Sequence, residues 1–335
     1  MTQVGDRRGD SSLQPRGAGV WADRVFSGAS LAAGLLVLAI LALILVTTLV
    51  QAWPAFTYQG VSFITSGVWI PNDPDGEGPA RAQFGTLAFT FGTLVVSLIA
   101  LVIAVPISFG IALFLTEFAP ARIRAAVVTV IDLLAATPSV VFGLWGILVV
   151  APALVPVYRG INHAVAGVPV LGSVFGAPVS TGRNFMTAGL ILAIMIVPII
   201  ASVTREVFAT VPRSDKDAAL ALGATHWEMI TGAVFPHSFG GMVGAVILGL
   251  GRAMGETIAV SLTIGAAVQI TPNLFAGGNA LPAIIVQNFG DPGSFPGREA
   301  LIGCGVVLFV MTVIVNYAAR LIVRRAEIRM KGAAA

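Results

Sequence analysis

The 335-residue chain is 56% hydrophobic and only 10% charged, whereas about a quarter of the residues in a soluble domain carry charge. That balance excludes an ordinary soluble enzyme or binding module and fits a polytopic membrane protein. The net charge of +3 and the pI near 9.5 are explained by where the arginines fall rather than by nucleic-acid affinity, and the single cysteine, Cys304, rules out an intrachain disulfide.

Residues 1–24, rich in Gly, Ser, Asp and Arg, read as a mobile tail. Six apolar stretches follow, at about 29–52, 86–115, 126–153, 185–206, 239–268 and 300–323. Each reaches the roughly 20 residues that a helix needs to cross a bilayer, and in hydrocarbon such runs satisfy their backbone polar groups as helices. The first is longer than a signal-peptide core and follows a polar leader, so it reads as a retained span with Trp53 as an interfacial anchor. The segment 70–81 is turn chemistry throughout. The loops 154–184 and 270–299, apolar but rich in Gly and Pro, predict short packed or re-entrant pieces.

Basic residues alternate between the connections. Arg7, Arg8, Arg16 and Arg24 precede span one. Arg122 and Arg124 lie between spans two and three. Arg205, Arg213 and Lys216 separate four from five, and Arg320, Arg324, Arg325, Arg329 and Lys331 accompany the end of span six. Only Arg81, Arg159, Arg183 and Arg298 occupy the other loops. Cytoplasmic flanks are enriched in Lys and Arg, which predicts both termini inside. The two lysines, Lys216 and Lys331, are not followed by Ser or Thr, so no phosphate-binding P-loop is encoded. His163, His226 and His237 lack metal-ligand spacing.

In the third stretch, Asp132 sits early and can be interfacial or an intramembrane charge paired with Arg252. Pro138 downstream frees a carbonyl near Thr137 and Ser139. Between spans four and five, Ser214 followed by Asp217 is a capping-box pattern, Gly223 a helix stop, and Thr225 followed by Glu228 a second box whose helix should end near Pro236. This insert reads as two short helices hinged at Gly223-Ala224, either lying on the bilayer surface or serving as a docking element.

In the fifth stretch, Arg252 falls about thirteen residues in, where a charge costs at least about 2.5–3.5 kcal/mol and normally faces protein or water. Glu256 lies four residues on and would pair with it on one helical face. The pair could hold two subunits in register, or Arg252 could present its donor fork to an anion. Gly240/Gly244 and Gly251/Gly255 permit close helix packing.

The pattern Asp217-Ala218-Ala219, Gly223, Ala233, Pro236 resembles the EAA loop, Glu-Ala-Ala-x3-Gly-x9-Ile-x-Leu-Pro, of binding-protein-dependent ABC importer permeases. Together with the segments Asp132 to Gly146 and Gly249 to Val260, it is similar to the permeases of phosphate-specific transport (Pst) importers. The PstC type is resembled more than the PstA type, because Ile258-Ala259-Val260 replaces the proline of the latter. The resemblance covers about residues 25–325. It implies an all-α polytopic membrane protein with six transmembrane helices, a type I ABC importer (MetI-like) transmembrane domain. Its permease domain would be 25–325 with a coupling loop at 207–238, between cytoplasmic tails 1–24 and 326–335.

The resemblance further implies a multi-pass protein of a prokaryotic cytoplasmic membrane. Its partners would be a homologous PstA-like permease, a PstB-like ATPase dimer and an extracytoplasmic PstS-like phosphate-binding protein. No cofactor is expected on this chain, ATP and Mg belonging to the ATPase. Asp217, Ala218, Ala219, Gly223 and Pro236 would couple to that ATPase, with Arg252, Glu256 and Asp132 along the substrate path. An importer of sulfate or molybdate, or a secondary anion transporter using the same charges, remains the alternative; no inverted repeat that would favour the latter is seen.

Overall fold

The computed structural model describes residues 17–72, 82–293 and 295–333. Two compact units are present, Met1–Val50 and Gln51–Ala335. In the first, helix α1 (Gly17–Gln59) begins, and every side chain from 21 to 44 is exposed. A helix this apolar and this exposed needs lipid or a partner as its solvent. The last eight residues of the segment expected to be a tail are therefore helical, and residues 1–16 lie outside the described residues.

The second unit continues with α2 (Ser62–Thr65), the antiparallel pair β1 (Trp69–Ile70) and β2 (Gln83–Phe84), α3 (Leu87–Leu113), α4 (Ala121–Ala136), α5 (Ser139–Trp145), α6 (Ala151–Val165), α7 (Pro169–Val174) and α8 (Phe185–Ala209). It then runs through α9 (Arg213–Ala221), α10 (His226–Met229), α11 (Phe235–Gly255), α12 (Ile258–Thr263), α13 (Leu281–Asn288) and α14 (Gly297–Ala333). Wider π turns at Phe114–Phe118, Gly146–Val150 and Ile230–Val234 extend α3, join α5 to α6 and join α10 to α11. The turn segment 73–81 lies outside the described residues. Because α14 runs to Ala333, the second expected tail is also largely helical.

Among the described residues, six helical segments are long and apolar enough to cross a membrane: Trp21–Gln59, Leu87–Phe118, Ser139–Val165, Phe185–Ala209, His226–Gly255 and Gly297–Leu321. Their number agrees with the hydropathy reading, but two are displaced. The third starts at Ser139 because Thr137 before Pro138 is extended, as the ring of a following proline demands. The fifth starts at His226 and stops at Gly255. Pro236 does not end a helix there: it occupies the first turn of α11, directly after a π turn, where a missing N–H is tolerated.

The core is built on α3 and α8. Val96, Ala100 and Ala104 meet Leu192, Ile196 and Ile200, with Ala245 and Ala253 of α11 and Val260 of α12 closing the cluster. Small residues set the spacing. A Cβ on Gly189 would lie 2.4 Å from Ile99, so any side chain there would force the two helices apart. Of the glycines expected to pack α11, Gly244, Gly251 and Gly255 face open space, while Gly241 and Gly249, on the other side, are approached by Val207 and Ile200.

Candidate functional site

Helix α11 ends where hydropathy predicts a continuous span. Glu256 is extended (φ −70°, ψ 125°) and α12 begins two residues later. The four-residue spacing that should align Arg252 with Glu256 is thereby lost, and no ion pair joins them. Arg252 lies in the last turn of α11, exposed and without a hydrogen-bond or ion-pair partner among the described residues. A cation there also suits the partial negative charge of the helix C-terminus. Glu256 is only 7% exposed, and its Oε1 accepts from the Ala259 N–H at 3.4 Å, capping the first turn of α12.

Asp132 is not brought to this place. It is exposed on α4, ahead of the third span, and forms no ion pair with Arg252. The residues that do gather near the far end of α12 are ones the sequence pattern does not single out. Arg183 Nη2 donates to the Ser261 carbonyl at 3.5 Å, and its buried Nε has no partner. Gln287 Nε2 donates to Ser261 Oγ at 3.2 Å, while Gln287 Oε1 accepts from buried Asn279 at 2.8 Å. The available signal was a Gln-Asn pair closing the otherwise apolar run Leu281–Phe289. The outcome is a free guanidinium at the end of α11, able to receive an anion, and a cluster of polar groups around Ser261 of α12.

The second candidate region is the insert. Helix α9 has Pro212 as its N-cap, and Ser214 Oγ turns to Asp215 instead of capping, so the first predicted box does not form. The second does: Thr225 and Glu228 exchange both bonds, at 2.7 and 3.3 Å. Between them Gly223 sits at φ +89°. The Ala224 N–H reaches back to the Ala219 carbonyl at 3.2 Å, as in a glycine-terminated helix end.

Asp217, Ala218, Gly223 and Pro236 are exposed and Ala219 half-buried, while Leu222 (90% exposed) and Trp227 (63%) project as uncovered apolar side chains. Phe208, Val211, Met229, Ile230 and Val234 pack beneath, with Ala219 against them. A further anchor was not foreseen: Lys216 Nζ lies 2.6 Å from Glu117 Oε1, ninety-nine residues away in the π turn that ends α3, with both side chains largely buried. A lone acid at the end of an apolar span was the signal.

Residues 104–328 match the model of the family described as binding-protein-dependent transport system inner membrane component. The chain is 42% identical to the phosphate transport system permease protein PstC of Xylella fastidiosa (strain 9a5c), over 81% of each chain. It is 38% identical to that of Mesorhizobium japonicum, over 92% of this chain and 91% of the relative. In fold it resembles a chain in the crystal structure of a bacterial alginate ABC transporter bound to its periplasmic protein, with a TM-score of 0.58 at 17% identity, covering 92% of this chain and 98% of that one. The chain therefore belongs to the binding-protein-dependent transport system inner membrane components, and within them to the PstC permeases.

Proposed function

We propose that this chain is one permease subunit of an ATP-driven importer of inorganic phosphate. Its similarity to PstC permeases supports the substrate, and the exposed, unpartnered Arg252 at the break in the fifth span carries the assignment of the anion path. Irregular backbone at membrane depth is tolerated where it lines protein or a water-filled cavity, and a free guanidinium offers phosphate oxygens two parallel donors. In the assembled transporter a PstA-like sister would supply the opposite wall of that cavity.

The insert 207–238 is the coupling loop. Asp217, Ala218, Ala219, Gly223 and the exposed Leu222 and Trp227 enter a groove of a PstB-like ATPase, which holds the ATP and Mg. A PstS-like binding protein delivers phosphate on the opposite side. Both termini, and the arginine-rich connections, face the cytoplasm. Movement of the loop as the ATPase closes and reopens turns the cavity outward and inward, two states each favoured by a different ligand.

The test is radiolabelled phosphate uptake into proteoliposomes carrying this chain with its sister permease and ATPase. Uptake that requires both enclosed ATP and external binding protein is expected. Uptake driven by an ion gradient without either would replace the importer with a secondary transporter.

A further inference from the structure

A second place built for an anion lies away from the α11–α12 break. Where α3, α4, α8 and α9 converge there is a cleft of about 450 Å³ lined by Arg124, Arg205, Arg213 and Lys216, with Leu115, Thr116, Glu206, Ala209 and Val211. This volume falls within the range of small-molecule sites, about 300–1,000 Å³. Its charges are unevenly matched. Glu117 offsets Lys216 at 2.6 Å, and Glu206, mostly exposed, is 3.9 Å from Arg205.

Arg124 Nη2 donates to the Ala119 carbonyl at 3.2 Å and to the Thr116 carbonyl at 3.5 Å but has no acidic partner, and Arg213 has no hydrogen bond or ion pair, among the described residues. Both α4 and α9 start beside the cleft with proline N-caps that supply no side-chain acceptor, so the positive ends of two helices add to the field. No aromatic side chain lines the cleft to stack a nucleobase, and the few apolar residues are too small a lining for an acyl chain. What remains is a compact, multiply charged group with several acceptor oxygens.

We propose that this cleft binds a phosphate group, held by Arg124, Arg205 and Arg213 with Lys216 fixed at its edge. Two sources carry that chemistry, free inorganic phosphate and the headgroup of an anionic phospholipid, for which basic pockets between helices at the cytoplasmic surface are suited. The side of the membrane rests on the orientation proposed above; the chemistry of the cleft does not. If the ligand is free phosphate, the site samples the discharged product next to the coupling loop. If it is a headgroup, it ties the coupling loop to the composition of the bilayer.

The complete transporter complex in phosphatidylcholine nanodiscs, without binding protein or nucleotide, is probed with radiolabelled inorganic phosphate by equilibrium dialysis. Discs doped with phosphatidylglycerol are then read by native mass spectrometry for retained lipid. One probe should be held by the wild type and its affinity reduced about tenfold or more by Arg124→Gln/Arg213→Gln, as the loss of charge-assisted hydrogen bonds requires. Arg213→Lys should keep most of the binding, and Arg159→Gln, at an exposed arginine of α6 outside the cleft, should leave it unchanged. Retention of phosphate alone identifies the free anion, and retention of lipid alone identifies the headgroup. Failure of the wild type to hold either probe, full retention by the double variant, or equal loss caused by Arg159→Gln would overturn the site. Failed uptake by the wild type would overturn the importer and leave this binding result standing.

Discussion

Arg252 and Glu256 lie one nominal helical turn apart, and the break after Gly255 gives them separate duties. Arg252 has no hydrogen-bond or ion-pair partner among the described residues, whereas buried Glu256 holds the first turn of α12. Arg252→Gln should therefore leave the thermal midpoint of the purified complex nearly unchanged while lowering phosphate uptake by about two orders of magnitude, as loss of a charge-assisted fork predicts. Glu256→Ala should lower the midpoint through a lost cap of about 1 kcal/mol. Glu256→Gln, which keeps an acceptor oxygen, should retain most of that stability. Equal midpoints for the Ala and Gln variants would show that the cap is not what Glu256 contributes. That Arg252 is a charge the fold has to accommodate was legible because a charge in an apolar run is expensive. The loss of its pairing was not, because a helix break without proline leaves no sequence mark beyond Gly255.

At the scale of elements, α9 is joined to the rest of the unit by the apolar bed under Ala219 and by the Lys216–Glu117 pair. Removing one partner of a largely buried pair costs about 3–5 kcal/mol, which here would loosen α9 from α3. Lys216→Met should thus reduce the stimulation of ATPase activity by loaded binding protein, and the exchange Lys216→Glu/Glu117→Lys should restore a good part of it; no rescue by the exchange would confine the pair to a local role. Gly223→Ala meets φ +89° with open space around it, so its cost is backbone strain alone, on the order of 1 kcal/mol, and uptake should fall without loss of assembly. Helix type and the Thr225–Glu228 cap could be read from the sequence since both are local. The π turns and the Glu117 anchor could not, because each depends on what the rest of the chain packs against them.

For the whole molecule, six spans and their order were legible from hydropathy, since length and apolarity alone set them. Two spans shifted: the third because Pro138 holds Thr137 extended, the fifth because the helix runs through Pro236 and stops at Gly255. The sidedness proposed from the arginines can be checked with the one native thiol as background: Cys304 is fully buried, so the wild type should give almost no labelling by an impermeant maleimide. Leu222→Cys should react only in inverted vesicles and Val170→Cys, exposed on α7, only in right-side-out ones. The reverse pattern would invert the topology.

The run from His226 to Gly255 is helical throughout, with one π turn at Ile230–Val234, about 45 Å at 1.5 Å per residue, with the capped start of the insert's second helix at one end and Arg252 in its last turn. Under the coupling proposed above, a rod of this kind needs no relay of side chains between ATPase and anion. A tilt of a few degrees imposed at Trp227 sweeps the guanidinium through an arc of a few ångströms, enough to make or release a hydrogen bond. The stroke that reaches the insert and the grip on the anion would then be two ends of one lever.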